Sequence, residues 1–214
     1  MGLSRVDVVA SGIHKGARYS APVTGWWPTD VAWLRDARLL PDSLLHQRRR
    51  RAALKQLRRL KPRRILFVCH GNICRSPFAA AVFPRVCPPQ LRDHATAVSA
   101  GVIGPGRTPP PQALAAAFKY GIEMSAHRSA LVTEDSLTAA DLVVVMSAEQ
   151  ARDLRSRAKG ISNKLLVLGD LDPSASNGRT ITDPWDQPDS VFDASYRHIA
   201  RCVIVLARSL AANP

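Results

Sequence analysis

The chain is 214 residues long, 46% of them apolar, with a formal charge of +13. That length suits one α/β domain of roughly 150 residues plus an appendage, and that apolar share excludes wholesale disorder. No apolar run approaches the about 18 residues of a membrane span. The opening residues hold no apolar h-region and Val6 stands where a myristoylation signal needs Ser or Thr, so the expectation is a soluble, cytoplasmic protein.

The charge is uneven. Residues 1–64 carry fifteen Lys and Arg against four Asp and Glu, whereas residues 65–214 carry fifteen against thirteen. The expected organisation is therefore a basic N-terminal extension over 1–61 and a nearly neutral domain over 62–214. The extension holds Trp26, Trp27 and Trp33, then a basic amphipathic helix over 42–61. Asp42 or Ser43 is its N-cap, and Leu44, Leu54, Leu57 and Leu60 lie along one side. Such a charge run is a solvated face or suits an acidic partner, an anionic membrane surface or, less readily, nucleic acid; no motif chooses among them.

From Arg64 onward, short β-rich runs alternate with helical stretches. Strands are predicted at 65–68, 96–99, 142–146 and 165–168, and helices at 77–86, 111–120, 148–158 and 191–210, with Gly121 as the stop of the second. Pro77 suits a first helical turn. This order gives an α/β fold: an open, mostly four-stranded parallel sheet flanked by helices on both faces, with a phosphate-binding loop after the first strand. Ligands in such sheets bind at the carboxyl ends of the strands.

Cys69, Cys74, Cys87 and Cys202 are too few and scattered for a disulfide scaffold, and no C-x-x-C or H-x-x-x-H spacing supports zinc. The segment Cys69-His70-Gly71-Asn72-Ile73-Cys74-Arg75-Ser76-Pro77 places a thiol at the end of a strand and an Arg-Ser pair at the start of a helix. Main-chain N–H groups in such a loop form an anion nest, and the helix end adds its dipole. Gly71 and Asn72 tolerate the left-handed dihedrals a tight nest needs. A thiol there ionises readily, Ser76 can donate to the thiolate, and Arg75 offers a fork for two phosphoryl oxygens. An acid must still protonate the leaving alcohol. Asp183, in Thr182-Asp183-Pro184-Trp185, is the candidate and Asp186 the alternative, with Trp185 placed to stack on an aryl group. Cys74 is a candidate redox partner for Cys69.

The loop, followed by Ser99-Ala100-Gly101, His127-Arg128-Ser129, Ala140 to Met146 and Asp183-Pro184, resembles the low-molecular-weight protein tyrosine phosphatases over about residues 63–212. The resemblance implies hydrolysis of phosphate monoesters, protein phosphotyrosine above all, through a phosphocysteine intermediate and without metal or cofactor. It makes Cys69 the nucleophile, Arg75 the phosphate clamp, Asp183 the general acid and Ser76 the thiolate stabiliser. His70, Gly71, Asn72, Ile73 and Cys74 complete the phosphate loop, Trp185 the cleft, and Asn72 and Ser99 brace the loop. Bacterial members often act on tyrosine kinases; a small aryl phosphate is the other substrate class. The chain departs from the usual pattern with His70 in the loop, Trp185-Asp186 after Asp-Pro, and no aromatic in 102–108. Two other readings stand beside this one. An arsenate reductase shares the loop, but residues 147–160 lack its further cysteines; a phospho-ligand binding module would not need an intact Cys69, Arg75 and Asp183.

Overall fold

The computed structural model describes residues 42–212, apart from positions 93, 175 and 177. Residues 1–41, including Trp26, Trp27 and Trp33, lie outside the described residues.

Four parallel strands form one sheet in the order β2-β1-β3-β4: β1 (Arg64–Cys69), β2 (Thr96–Gly101), β3 (Leu142–Val145) and β4 (Leu165–Val167). Period-two alternation divides the core. Ile65, Phe67 and Cys69 face one layer, built by α1 (Asp42–Leu57), α2 (Arg75–Val86), α4 (Pro111–Phe118) and α7 (Asp189–Ala211). Leu66, Val68, Val143 and Val145 face the other, built by α5 (Glu134–Ala139) and α6 (Ala148–Arg157). A short α3 (Pro89–Arg92) precedes β2, and 3-10 turns at Ile161–Lys164 and Leu168–Leu171 flank β4. β1 therefore leads into a helix on one face and β3 into a helix on the other. The crevice between their carboxyl ends is the topological switch point, and Cys69 lies there.

The helices follow local chemistry. Pro77 sits in the first turn of α2, where N–H groups lack intrahelical partners anyway. The Ser147 hydroxyl caps α6 by accepting from Gln150 N at 3.3 Å. Thr133 and Ser136 form a reciprocal capping box on α5, a helix the sequence reading passed over because Leu137 is its only buried residue.

α1 ends at Leu57 rather than residue 61. It is packed into the body instead of standing off as an appendage. Ala53 and Leu57 are buried in the α2/α7 layer, while Leu44, expected on the same side, is exposed. Gln56 Nε2 donates to the carbonyls of Asn163 and Leu165, at 2.9 and 3.2 Å, capping free carbonyls beside the edge strand. The His46 ring donates to the Asp172 carbonyl at 2.9 Å.

Asp172 is the hub of that contact. Its carboxylate, fully buried, accepts two hydrogen bonds from Arg201, at 2.9 and 2.7 Å. His198 Nε2 lies 3.0 Å from it. Burial works to raise the Asp172 pKa, but the Arg201 and Ser174 hydrogen bonds and the His198 and Arg201 charges outweigh it and leave the carboxyl below its ordinary value. Cys202 stands in the same group; because Arg201 already takes both Asp172 oxygens, the arrangement is an ionic anchor between α7 and the 172 turn.

Candidate active site

At the end of β1 the chain turns sharply and enters α2. Cys69 Sγ accepts the main-chain N–H of Asn72 at 3.2 Å and faces the Ser76 hydroxyl at 3.1 Å. The single Ser76 proton has a second acceptor in reach, the Ala100 carbonyl at 3.2 Å, and an anionic sulfur is the stronger of the two. Both contacts aim donors at the sulfur, and α2 begins at Arg75, so the loop sits on a helix N-terminus.

Asn72 is the keystone of the turn. Its φ is +52°, a conformation Asn tolerates better than most residues. Fully buried, it has every polar atom partnered. Nδ2 donates to Ser76 Oγ and Ser99 Oγ, both at 2.9 Å, Oδ1 accepts from Ala130 N at 2.8 Å, and the carbonyl accepts from the His127 ring at 2.7 Å. Gly71 does not share the left-handed conformation. Its lack of a side chain matters for another reason: a Cβ there would lie 2.9 Å from Arg107 Nη2. The tighter contact is at Gly101, the last residue of β2, where a Cβ would meet backbone atoms of Gly71 and Asn72 at 2.8–2.9 Å.

The far end of the loop is held by α7. Tyr196 stacks on Phe78 with ring centroids 3.9 Å apart and donates its hydroxyl to the Cys74 carbonyl at 3.1 Å. Arg75 is buried; one guanidinium nitrogen donates to the Ile181 carbonyl at 3.2 Å and another pairs with the Asp183 carboxylate. Asp183 itself is half exposed, and its other oxygen accepts from Trp185 N at 3.3 Å.

These groups surround a cavity of about 160 Å³, smaller than the roughly 300–1,000 Å³ of drug-sized clefts and suited to one side chain. It brings together Cys69, His70, Gly71, Ile73, Cys74, Arg75, Asp183 and Trp185, while Asn72, Ser76 and Ser99 stand behind the loop as braces. Residues 102–108 bring no aromatic to the cavity; what they add to its lining is Ile103 and Arg107. Asp186, the alternative acid, lies outside that lining and adopts a left-handed turn conformation, φ +58°. Sequence reasoning assigned no role to Arg107, Ile103 or Tyr196, and quoted His127 and Ser129 only within a motif; the glycines at 104 and 106 around Arg107 were the available signal of a tight turn.

Burial pushes the Cys74 thiol up to about 12, helped by the negative charges of Cys69 and Asp183 and opposed by Arg75 and Arg107. At neutral pH Cys74 is a thiol. Burial likewise raises the Tyr196 phenol, which stays a neutral donor.

The parallel sheet, with a loop of Cys69, Arg75 and Ser76 at its switch point, defines an α/β protein of the open, doubly wound kind. Residues 64–214 match the family described as low molecular weight phosphotyrosine protein phosphatase. The Sus scrofa protein of that name is 33% identical over 144 residues, covering 64% of this chain and 89% of the relative. The YwlE arginine phosphatase from Geobacillus stearothermophilus superposes with a TM-score of 0.63 at 29% identity, over 71% of this chain and 94% of that one. The tyrosine phosphatase Wzb from Escherichia coli K30, solved with sulphate, gives 0.62 at 27% identity, over 70% and 99%. The chain belongs to the low molecular weight phosphotyrosine protein phosphatase family, and it is an enzyme of the phosphoric monoester hydrolase class. The likeness favours this over the arsenate reductase reading. Among the described residues no helix is long and apolar enough to cross a membrane.

Proposed function

We propose that the chain hydrolyses phosphotyrosine in proteins, with small aryl phosphates as surrogates, and that Cys69, Arg75 and Asp183 carry the chemistry. The Cys69 thiolate attacks phosphorus, forming the S–P bond as the ester P–O bond breaks; Asp183, protonated, gives its proton to the leaving phenol oxygen. Asp183, now a carboxylate, takes a proton from water as that water attacks the phosphocysteine, releasing inorganic phosphate and restoring the thiolate. Arg75 exchanges Asp183 for phosphoryl oxygens, and the Asn72 N–H and Ser76 hydroxyl stabilise the sulfur as leaving group. The carrying observation is that two donors converge on Cys69 Sγ in the cavity that also holds the Arg75–Asp183 pair. Ile73, Ile103 and Trp185 give that cavity apolar walls, which favour an aryl leaving group. Cys74, which lines the same cavity as Cys69, is placed to resolve a sulfenic acid formed on Cys69 by a peroxide: the Cys74 sulfur attacks, the S–S bond forms and water leaves.

The test is turnover of p-nitrophenyl phosphate without added metal, inhibited by vanadate and absent in Cys69→Ser. A strict metal requirement, or full activity in that variant, contradicts the reading. A comparison of phosphotyrosine, phosphoserine and phosphoarginine peptides then decides the substrate class.

We further infer that α1 docks the enzyme on an anionic lipid surface. Arg48, Arg51 and Lys55 are exposed along it, and Arg58 and Arg59 just beyond its end, while Ala53 and Leu57 are buried in the core, which suits charge-driven adhesion worth about 1 kcal/mol per basic residue. Binding to vesicles containing phosphatidylserine, lost at high salt and absent on phosphatidylcholine alone, is expected; equal binding to both would contradict it.

A further inference from the structure

Arg107 is 38 residues from the nucleophile in sequence, and the chemistry described so far gives it no part. Its guanidinium is nonetheless wrapped by the chain. Nη2 donates to the Gly71 carbonyl at 2.8 Å and to the Ile103 carbonyl at 3.2 Å, and Nε donates to the Gly104 carbonyl at 3.0 Å. Gly104 has φ +56°, and a Cβ there would fall 2.6 Å from Arg107 Nε; the one at Gly71 would also strike the guanidinium. The backbone on either side is pinned by Ser129, whose hydroxyl accepts from Arg107 N at 2.9 Å and donates to the Gly104 carbonyl at 2.6 Å. Two glycines and three carbonyls thus fit one side chain.

The consequence lies in the Gly71–Asn72 peptide. A trans peptide is planar, so its C=O and N–H point in opposite directions. Arg107 holds the Gly71 carbonyl away from the site, and the N–H of the same unit, that of Asn72, is then turned onto Cys69 Sγ. Rotating that unit would present an oxygen to the sulfur, replacing attraction with repulsion. Asn72 would also leave its positive φ for the region L-residues prefer. Local backbone preference therefore favours the wrong orientation, and the hydrogen bond from Arg107 to the Gly71 carbonyl opposes it. The other Asn72 contacts fix its side chain and the next carbonyl.

We propose that Arg107 is a positioning residue for the hydrolytic reaction: it locks the Gly71–Asn72 peptide with its N–H toward Cys69 and thereby keeps a hydrogen-bond donor on the nucleophilic sulfur. This rests on Cys69 being the nucleophile.

Arg107→Ala and Arg107→Lys are compared with the wild type by the pH dependence of Cys69 alkylation with iodoacetamide, an uncharged probe, and by the pH profile of kcat/KM on p-nitrophenyl phosphate. The alkylation midpoint of Arg107→Ala is expected to rise by about one pH unit, the size of one hydrogen bond to an anion. The acid limb of kcat/KM should move with it. Arg107→Lys, which keeps the charge but cannot span three carbonyls, should fall between; it also answers if Arg107→Ala does not fold. The shift should survive about 1 M salt, where charges more than roughly 3 Å apart are screened. An unmoved midpoint, a shift that salt abolishes, or a raised KM with an unmoved midpoint would each overturn the proposal. If the wild-type thiol itself titrated like a free cysteine and the enzyme did not turn over, the reading of Cys69 would fall with it.

Discussion

Arg75 and Asp183 are paired across the mouth of the loop, the arginine buried and the aspartate half exposed. Neither residue can do its proposed work while the pair holds. Arg75 must turn to the phosphoryl group, and Asp183 must carry a proton to donate. An incoming phosphate dianion supplies the exchange: it offers Arg75 more oxygens than one carboxylate, and its charge beside Asp183 favours the protonated acid.

Asp183→Ala should therefore lower kcat on p-nitrophenyl phosphate by about 10²–10⁴-fold, the usual range for a lost general acid. Phosphate and vanadate should bind at least as tightly as to the wild type, because Arg75 is released from its partner. Steady-state kinetics with inhibition constants checks both. An undiminished kcat would move the acid elsewhere, with Asp186 the first candidate.

Gly101→Ala places a methyl within 3 Å of two main-chain positions of the loop after Cys69, with no flexible side chain to give way. Overpacking of this kind costs about 1–3 kcal/mol. Chemical denaturation should show a loss in that range, and activity should fall further than stability alone explains, because the displaced atoms are those of Gly71 and Asn72.

Removal of α1 is expected to damage the fold. Leu57 is wholly buried, and Leu57→Ala should cost about 2–5 kcal/mol, read from the denaturation midpoint. Truncation at residue 61 should lower stability with catalytic parameters of the folded fraction little changed, since no residue of α1 lines the catalytic cavity.

The anchor at Asp172 predicts a pH response. Burial, with the nearby Arg201 and His46 charges, holds His198 below its ordinary value of 6.5 despite the attraction of Asp172. Below about pH 6.5 the unfolded chain binds a proton the folded one resists, so stability present at neutral pH is lost as pH falls. The Asp172 carboxyl, held below 3.8, acts only at more acid pH. Thermal midpoints taken from about pH 7.5 to 5 should decline less steeply in His198→Gln than in the wild type; equal slopes would assign the response to other groups.

The strands were legible because a parallel sheet buries both faces and leaves continuous apolar runs such as Leu142–Val145. The Cys69–Ser76 loop was legible because its parts are contiguous. What the sequence hid are contacts between distant positions: Arg107 with Gly71, His127 with Asn72, and Tyr196 with Cys74. No periodicity encodes these. The place of α1 was hidden for a different reason. Its arginines dominate its composition, while only a narrow strip around Ala53 and Leu57 enters the core, so charge suggested an appendage where packing makes a layer.

The central claim is that phosphate passes through Cys69. Rapid acid quench of the enzyme during turnover of p-nitrophenyl phosphate, followed by peptide mass spectrometry, should find a phosphoryl group on the Cys69 peptide, and more of it in Asp183→Ala if the second step slows more than the first. A phosphoryl group on another residue, or hydrolysis that continues undiminished in Cys69→Ser, would contradict the account.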